Sequence, residues 1–528
     1  MHTIALFHTT MLTGTEDAYF ICSLASMLTK NGSKVILICQ EPEPENFDFI
    51  TEAYRFKTET QVLYKLFARH SAYDLSHPNK EECVYFRPDC GSIIPTFSGY
   101  ETPFSKDKAI ETITDLELEN YINRNIRALK KIYKLISFDA FISLWNSPGG
   151  TIVKRSFSKS MPLSIVADNT GTLSKTANKN EYALRTEGLS AATRIIIHNA
   201  SDLDNIRLFH ADTARTQVIL APHCINTSAL FSKETNADQT QKTIEEIDKA
   251  LQHTANGYTS AALKALYEIK KLSDIDIWAK TTGNVNYMLP DSDTAKKLKT
   301  YLQGNEHTIF IPASLDRRTG IHDTLIALPL IADKYPTLRV LIAGYGKDRA
   351  LIEKMALSLC DGDMQMVKEY LKLLAQGCPN VPGSKLIDSL SGDKLKVYQK
   401  KAALLKDHIQ FCGNIPFELQ TLIQQNSRIT AILTLNQKAS PLELLRAMSC
   451  GCIPIINNMA EYTDITDRAT DSGAVILKTQ PENHIYEFAA CVIKAFTYST
   501  KEITQIANLT WKYIDENHSW TTNIKYYL

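Results

Sequence analysis

The sequence predicts an α/β protein with two doubly wound, parallel-sheet domains in series. Three observations predict it. The chain has 528 residues, too many for one ordinary domain and enough for two or three. Short apolar runs alternate with helical patterns from residue 3 onward, and a second such series begins near residue 307. The first of these runs enclose a helix to form a βαβ unit, which requires a parallel sheet covered on its faces.

The first series opens with a strand at Thr3–Phe7 and a loop, HTTMLTGTED. The spacing of apolar residues predicts a helix over Ala18–Lys30, stopped by Asn31-Gly32, and then a strand at Lys34–Cys39. Phe138–Leu144, Leu163–Ala167, Arg194–His198 and Gln217–Leu220 repeat the strand signal. Residues 41–120 are rich in aromatic and charged side chains and are expected to decorate the sheet edge.

The second series has strands at Thr308–Pro312 and Leu338–Ala343, with a helix over Gly320–Tyr335 between them. A glycine turn into a helix follows, GYGKDRALIEKM. His408–Phe411, Ile429–Leu433 and Ile453–Ile456 continue the sheet. The run SPLELLRAMSCGCIPII, Ser440–Ile456, reads as an amphipathic helix, a small-residue turn and a buried strand. Two stretches are longer than the usual α/β connection of about 2–6 residues, namely 232–305 and 358–406. Both are polar and helical in pattern, and read as surface elaboration or as an acceptor or partner surface. The domains expected are therefore 1–231, a linking insertion 232–305, 306–510 with the insertion 358–406, and a terminal helix over 511–528.

Composition excludes several classes. Lys plus Arg equals Asp plus Glu, 58 each, so no bulk field attracts nucleic acid. No apolar run reaches the ~18 residues of a membrane-spanning helix. The start, MHTIALFHTT, lacks a basic region and a cleavage site, and reads as a buried strand. The 11 cysteines are scattered and form no CxxC pair, which fits a reduced, cytoplasmic protein with structural thiols. No CxxC or HExxH pattern points to a metal.

Four segments in order resemble the retaining glycosyltransferases of GT-B architecture, the sucrose-synthase and mannosyltransferase-like group. They are RIIIHNASDLDNIRLFHADTARTQVILAPHCINTSALF, IFIPASLDRRTGIHDTLIAL…LRVLIAGYGKDRALIE, IQFCGNIPFELQTLIQQ with ASPLELLRAMSCGCIPII, and DENHSWTTNIKYYL. The resemblance implies two Rossmann-like domains facing across a cleft, the acceptor on the first and a nucleotide sugar on the second. It implies that the terminal helix crosses back to the first domain. It also implies transfer of a sugar from a nucleoside diphosphate donor to an unknown acceptor, with retention and without a metal or other cofactor. The acceptor stays open between a glycan, a lipid-linked molecule and a protein. Peripheral membrane contact stays open with it, although no basic amphipathic helix is evident.

The resemblance breaks at its charged positions. A leaving diphosphate carries about two negative charges and needs positive partners. Ser314 and Thr319 stand where the family has an Arg and a Lys, with Arg317 and Arg318 in the same loop. Lys438 and Arg446 stand where it has two glutamates eight positions apart, and Glu443 lies on the same helix out of register. An Arg offers no acceptor to ribose hydroxyls, but it binds phosphate well. The family's four side chains sum to zero charge and these four sum to plus two, so a diphosphate is expected to be held from the opposite wall.

Other expected donor contacts are Gly344, Asn414 and Ile415, and the backbone at Ser440, Pro441 and Leu442. On the sugar side the candidates are Asp168, Glu16 and His8, with Gly14 allowing close backbone approach. Helix capping by Asp168 and Glu16 and a structural His8 are the plain alternatives. Decay of the altered site leads to a second reading, a non-catalytic GT-B protein that binds a glycan or stabilises a partner. A third is epimerisation or hydrolysis of a sugar nucleotide.

Overall fold

The computed structural model describes residues 2–12, 16–69, 82–96, 107–144, 148–157, 161–167, 179–200, 202–209, 216–227, 242, 244–245, 247, 249, 251, 257–282, 289–303, 307–376, 382–434 and 441–528. They form two compact units, Met1–Asn226 with Asn517–Leu528, and Thr227–Glu516.

The amino-terminal unit is built on β1 (Thr3–Phe7), β2 (Lys34–Ile38), β3 (Glu52–Lys57), β4 (Val62–Ala68), β5 (Cys83–Pro88), β6 (Ile94–Thr96), β7 (Asp107–Ala109), β8 (Ala140–Leu144), β9 (Leu163–Val166), β10 (Arg194–Ile197) and β11 (Gln217–Leu220). Nine of these form one sheet in the order β11-β10-β9-β8-β1-β2-β5-β3-β4, while β6 and β7 pair separately. Among the described strands of the large sheet, only β4 runs antiparallel, as a hairpin with β3. Chain order reverses between β1 and β8, so this is the topological switch point. Central strands such as β2 are buried almost throughout because helices cover both faces.

The last residues of the chain complete this unit. Ile225 is bonded to the terminal segment on both sides, Ile225 N donating to His518 O at 2.8 Å and Ile225 O accepting from Trp520 N at 3.2 Å. Trp520 and Tyr527 are buried against Phe20, with ring centroids 5.3 and 5.8 Å away. Ser519 caps the short helix Trp520–Asn523, its hydroxyl accepting from Thr522 N.

The carboxy-terminal unit holds β12 (Thr308–Pro312), β13 (Arg339–Ala343), β14 (Ile409–Phe411), β15 (Ile429–Ile432), β16 (Ile453–Asn457) and β17 (Leu477–Thr479). All six are parallel, in the order β14-β13-β12-β15-β16-β17. Counted within the unit this is 3-2-1-4-5-6, the doubly wound Rossmann order, with its switch point between β12 and β15. Alternate residues of a strand enter different cores: Ile309 and Ile311 one, Phe310 the other.

Residues from 232–305, expected as a linking insertion, supply both of these cores. Ile244, Ile247, Leu251, Leu298 and Tyr301 pack with Phe310, while Tyr258, Leu263, Leu266 and Trp278 pack with Ile309. Residues from 358–406 do the same through Val367, Tyr370, Leu371, Ile387 and Tyr398. Neither stretch is only a surface addition. A buried ion cluster secures the first of them. Asp291 receives both terminal nitrogens of Arg349, whose Nε lies 3.4 Å from Glu353, and Tyr267 donates to Glu353 at 2.9 Å.

The helix expected over Gly320–Tyr335 is two helices, Ile321–Ala327 and Pro329–Ala332. Pro329 has no N–H to continue the first and is well placed to start the second.

Candidate functional site

In the carboxy-terminal unit, four loops leave the carboxyl ends of β12, β13, β14 and β15. This is where an open α/β sheet binds its ligands. The first three are knitted together by backbone bonds. Ala313 N donates to Ala343 O at 2.9 Å, Leu315 N to Tyr345 O at 2.7 Å, and Gly344 N to Gly413 O at 2.8 Å. Glycine is required at two of these contacts. A Cβ on Gly344, whose φ is +152°, would stand 1.8 Å from Ala313 O, and one on Gly346 would stand 2.4 Å from Leu315 O. Their observed role is loop-to-loop packing.

Ser314 is exposed on the first loop, and Thr319 is buried with its hydroxyl donating to Asp316 O at 2.7 Å. Arg317 sits in the turn Arg317–Thr319 with its charge already matched. Its Nε donates to Asp348 Oδ2 at 3.0 Å and its Nη2 to Oδ1. Its Nη1 donates to Leu373 O and Gln376 O at 3.1 and 3.3 Å, which ties this loop to the end of helix Met364–Leu374. Nearby, Asp323 accepts from Gly383 N at 2.6 Å, and burial pushes its carboxyl up to about 7.

A second polar chain joins the loops after β14 and β15. Gln420 Nε2 donates to Ile415 O at 2.7 Å, and Gln420 Oε1 accepts from Arg446 Nη2 at 2.7 Å. Arg446, itself buried, also pairs with Glu443 one turn earlier on helix Pro441–Ser449. The Ile415 side chain is in the core, so only its backbone faces the loop region, while Asn414 is half-buried. Pro441 is the first residue of its helix, and Leu442 and Glu443 in the first turn are half-buried. The positive end of that helix dipole therefore lies at the switch point.

Gln420 and Asp348 were not among the expected site residues. Each lies inside a segment that carries the family resemblance, but nothing in their spacing announces which arginine they meet. Gly14, Asp168, Lys438 and Ser440 lie outside the described residues, and for Glu16 and Arg318 the structure describes the backbone.

In the amino-terminal unit, His8 follows β1 at its own switch point. It is buried, its Nε2 lies 2.8 Å from Thr10 Oγ1, and its backbone N donates to Ile38 O. Burial holds its imidazole down to about 3, so it is neutral near pH 7 and is no cation for a phosphate. Glu16 begins the helix Glu16–Lys30. Across the switch point, helix Gly149–Phe157 approaches closely: a Cβ on Gly149 would lie 2.0 Å from Ser143 Oγ. A glycine pair stands at 149–150, a sequence signal that could have pointed to this approach.

Among the described residues, no group of three or more His, Cys, Asp or Glu is arranged to hold a metal ion. Among the same residues, no helix is long and apolar enough to cross a membrane. The ten described cysteines are free thiols.

By sequence, the chain matches no family model and no curated protein. By structure it is similar to known folds along its whole length. The sucrose-phosphate synthase of Thermosynechococcus elongatus aligns with a TM-score of 0.53 and 11% identity, over 99% of this chain and 97% of that one. A glycosyltransferase from Rickettsia africae aligns with a TM-score of 0.54 and 10% identity, over 99% and 96%. The fold is therefore GT-B, with two Rossmann-like domains.

Proposed function

We propose that this protein is a glycosyltransferase that moves a sugar from a nucleoside diphosphate sugar to an acceptor. The bond from the anomeric carbon to the diphosphate oxygen breaks, its electrons leave with the diphosphate, and the acceptor oxygen bonds to that carbon and loses its proton. The observation that carries this reading is the Rossmann-ordered sheet whose four loops converge with a helix N-terminus at one switch point. The first-turn amides of helix Pro441–Ser449 would meet the diphosphate, with Arg318 and Lys438 as the cations of the two flanking loops. Arg446 would act through Glu443 and Gln420, to which it is bound. Asn414, Gly344, Ser314, Ser440, Pro441 and Leu442 would line the nucleotide. We assign the acceptor to the amino-terminal unit, with His8, Gly14, Glu16 and Asp168 as its candidate residues. Retention, operation without a metal and a cytoplasmic location belong to the same proposal; free thiols favour the last.

One observation favours the second reading, a non-catalytic binding protein. Arg317 and Arg446 are both committed to carboxylates, which lowers the charge available to a diphosphate. Thermal unfolding with UDP-, GDP-, ADP- and CMP-sugars and the free nucleotides separates the two. A ligand at ~100 times its dissociation constant adds about 2.7 kcal/mol of stability. A shift with one nucleotide class supports the transferase; no shift with any supports the binding protein.

A further inference from the structure

We infer that Asn457, Thr479, His484 and Thr324 are positioning residues for the nucleotide site, joined in a polar crossbar that fixes Thr434, just past the end of β15, relative to helix Ile321–Ala327. The inference rests on the nucleotide reading given above. All four side chains are fully buried. Asn457 ends β16, Thr479 ends β17, His484 begins helix His484–Thr497, and Thr324 lies in the helix that follows the β12 loop.

The contacts run in one line. Thr434 N, at the start of the loop into helix Pro441–Ser449, donates to Asn457 Oδ1 at 2.8 Å. Asn457 Nδ2 donates to Thr479 Oγ1 at 3.1 Å, and both of these atoms lie 3.3 Å from His484 Nδ1. His484 Nε2 meets Thr324 Oγ1 at 3.1 Å. A neutral imidazole satisfies both ends: where Nδ1 accepts from Asn457 Nδ2, the proton is on Nε2 and is donated to Thr324. Burial, helped by the nearby His322, holds the imidazole down to about 4, so it stays neutral as this pattern needs. Apolar side chains would fill this space without desolvating four polar groups. What the polar set adds is a hold on one outward group, the Thr434 amide. The two ends of the crossbar therefore lie on the two sides of the switch point, the β15 loop and the helix after β12.

Amide exchange and calorimetry on the full chain test this, with UDP, GDP and ADP as the probes. Asn457→Leu should release the Thr434 amide by about 100-fold while the β12 and β16 amides keep their protection. The same variant should weaken the nucleotide that wild type binds about tenfold, or about 1.4 kcal/mol. His484→Gln, which keeps hydrogen-bonding ends, should bind closer to wild type than His484→Leu. Thr324→Val removes one hydroxyl at similar volume and serves if Asn457→Leu does not fold. A protected Thr434 in a folded variant, or a released Thr434 with unchanged nucleotide affinity, overturns the inference alone. A wild type that binds none of the three nucleotides overturns the reading of the site and this inference with it.

Discussion

The two units finish the same parallel-sheet plan with different chemistry at their strand ends. In the amino-terminal unit the described residue after β1 is a buried, neutral imidazole, His8, held by a threonine hydroxyl. In the carboxy-terminal unit the equivalent ends carry ion pairs, Arg317 with Asp348 and Arg446 with Glu443. The units also complete their cores differently. The first borrows the last residues of the chain, Trp520 and Tyr527. The second absorbs two long helical stretches and secures one of them with a buried Asp291–Arg349 pair. Charge in the second unit thus does two jobs: it holds its extra helices, and it prearranges the ends of four loops.

The largest effects should separate the units. Arg349→Met leaves Asp291 buried without its main partner and should cost about 3–5 kcal/mol of the carboxy-terminal unit's stability. Denaturant unfolding followed by exchange of amides in both sheets reads this, and equal loss in both units would erase the distinction. Trp520→Ala should cost a similar ~3–5 kcal/mol, but from the amino-terminal sheet. Loss confined to the other sheet would refute the borrowed-terminus account. Asp348→Asn weakens the charged bonds to Arg317 and should cost about 1.5–3 kcal/mol, with helix Met364–Leu374 exchanging first.

Smaller effects sharpen the site comparison. Arg446→Ala should weaken nucleoside diphosphate binding by roughly 1–3 kcal/mol, whereas His8→Asn in the other unit should leave that affinity unchanged. An unchanged affinity in Arg446→Ala removes its proposed role. The last test is pH. His484 is held below its unfolded value of 6.5, so its neutral form stabilises the fold. That contribution is fully present above pH 6.5 and is lost as pH falls from there to about 4. The stability difference between wild type and His484→Gln should therefore change across this window and be flat at pH 7–8. A slope above pH 7 would show that another group is responsible.

Much of the fold was legible because buried strands leave a dense apolar signature. The runs at Thr3–Phe7, Gln217–Leu220 and Thr308–Pro312 are strands over those same residues. β3, β4 and β5 were not foreseen, because their stretch is rich in charged and aromatic residues and β4 is an exposed edge strand. Residues 232–305 read as polar because their apolar residues sit at helical spacing among many charges; only packing shows that Tyr301 and Trp278 are core. At the site, the positions of Arg317 and Arg446 were readable as charges in particular loops. Their partners were not. Asp348 lies 31 residues from Arg317, and Gln420 lies 26 from Arg446.

By itself, then, the sequence determined the class: alternating apolar strands and amphipathic helices can be buried only as covered parallel sheets. It also determined the order of the loops that meet at the carboxyl ends. Tertiary structure decided which charges are spent inside the protein. Ion pairing depends on distance in space, and a guanidinium's partner can come from any segment that the sheet brings within about 3 Å. For that reason the same arginine reads as a phosphate ligand in the sequence and as a paired, loop-fixing residue in the fold.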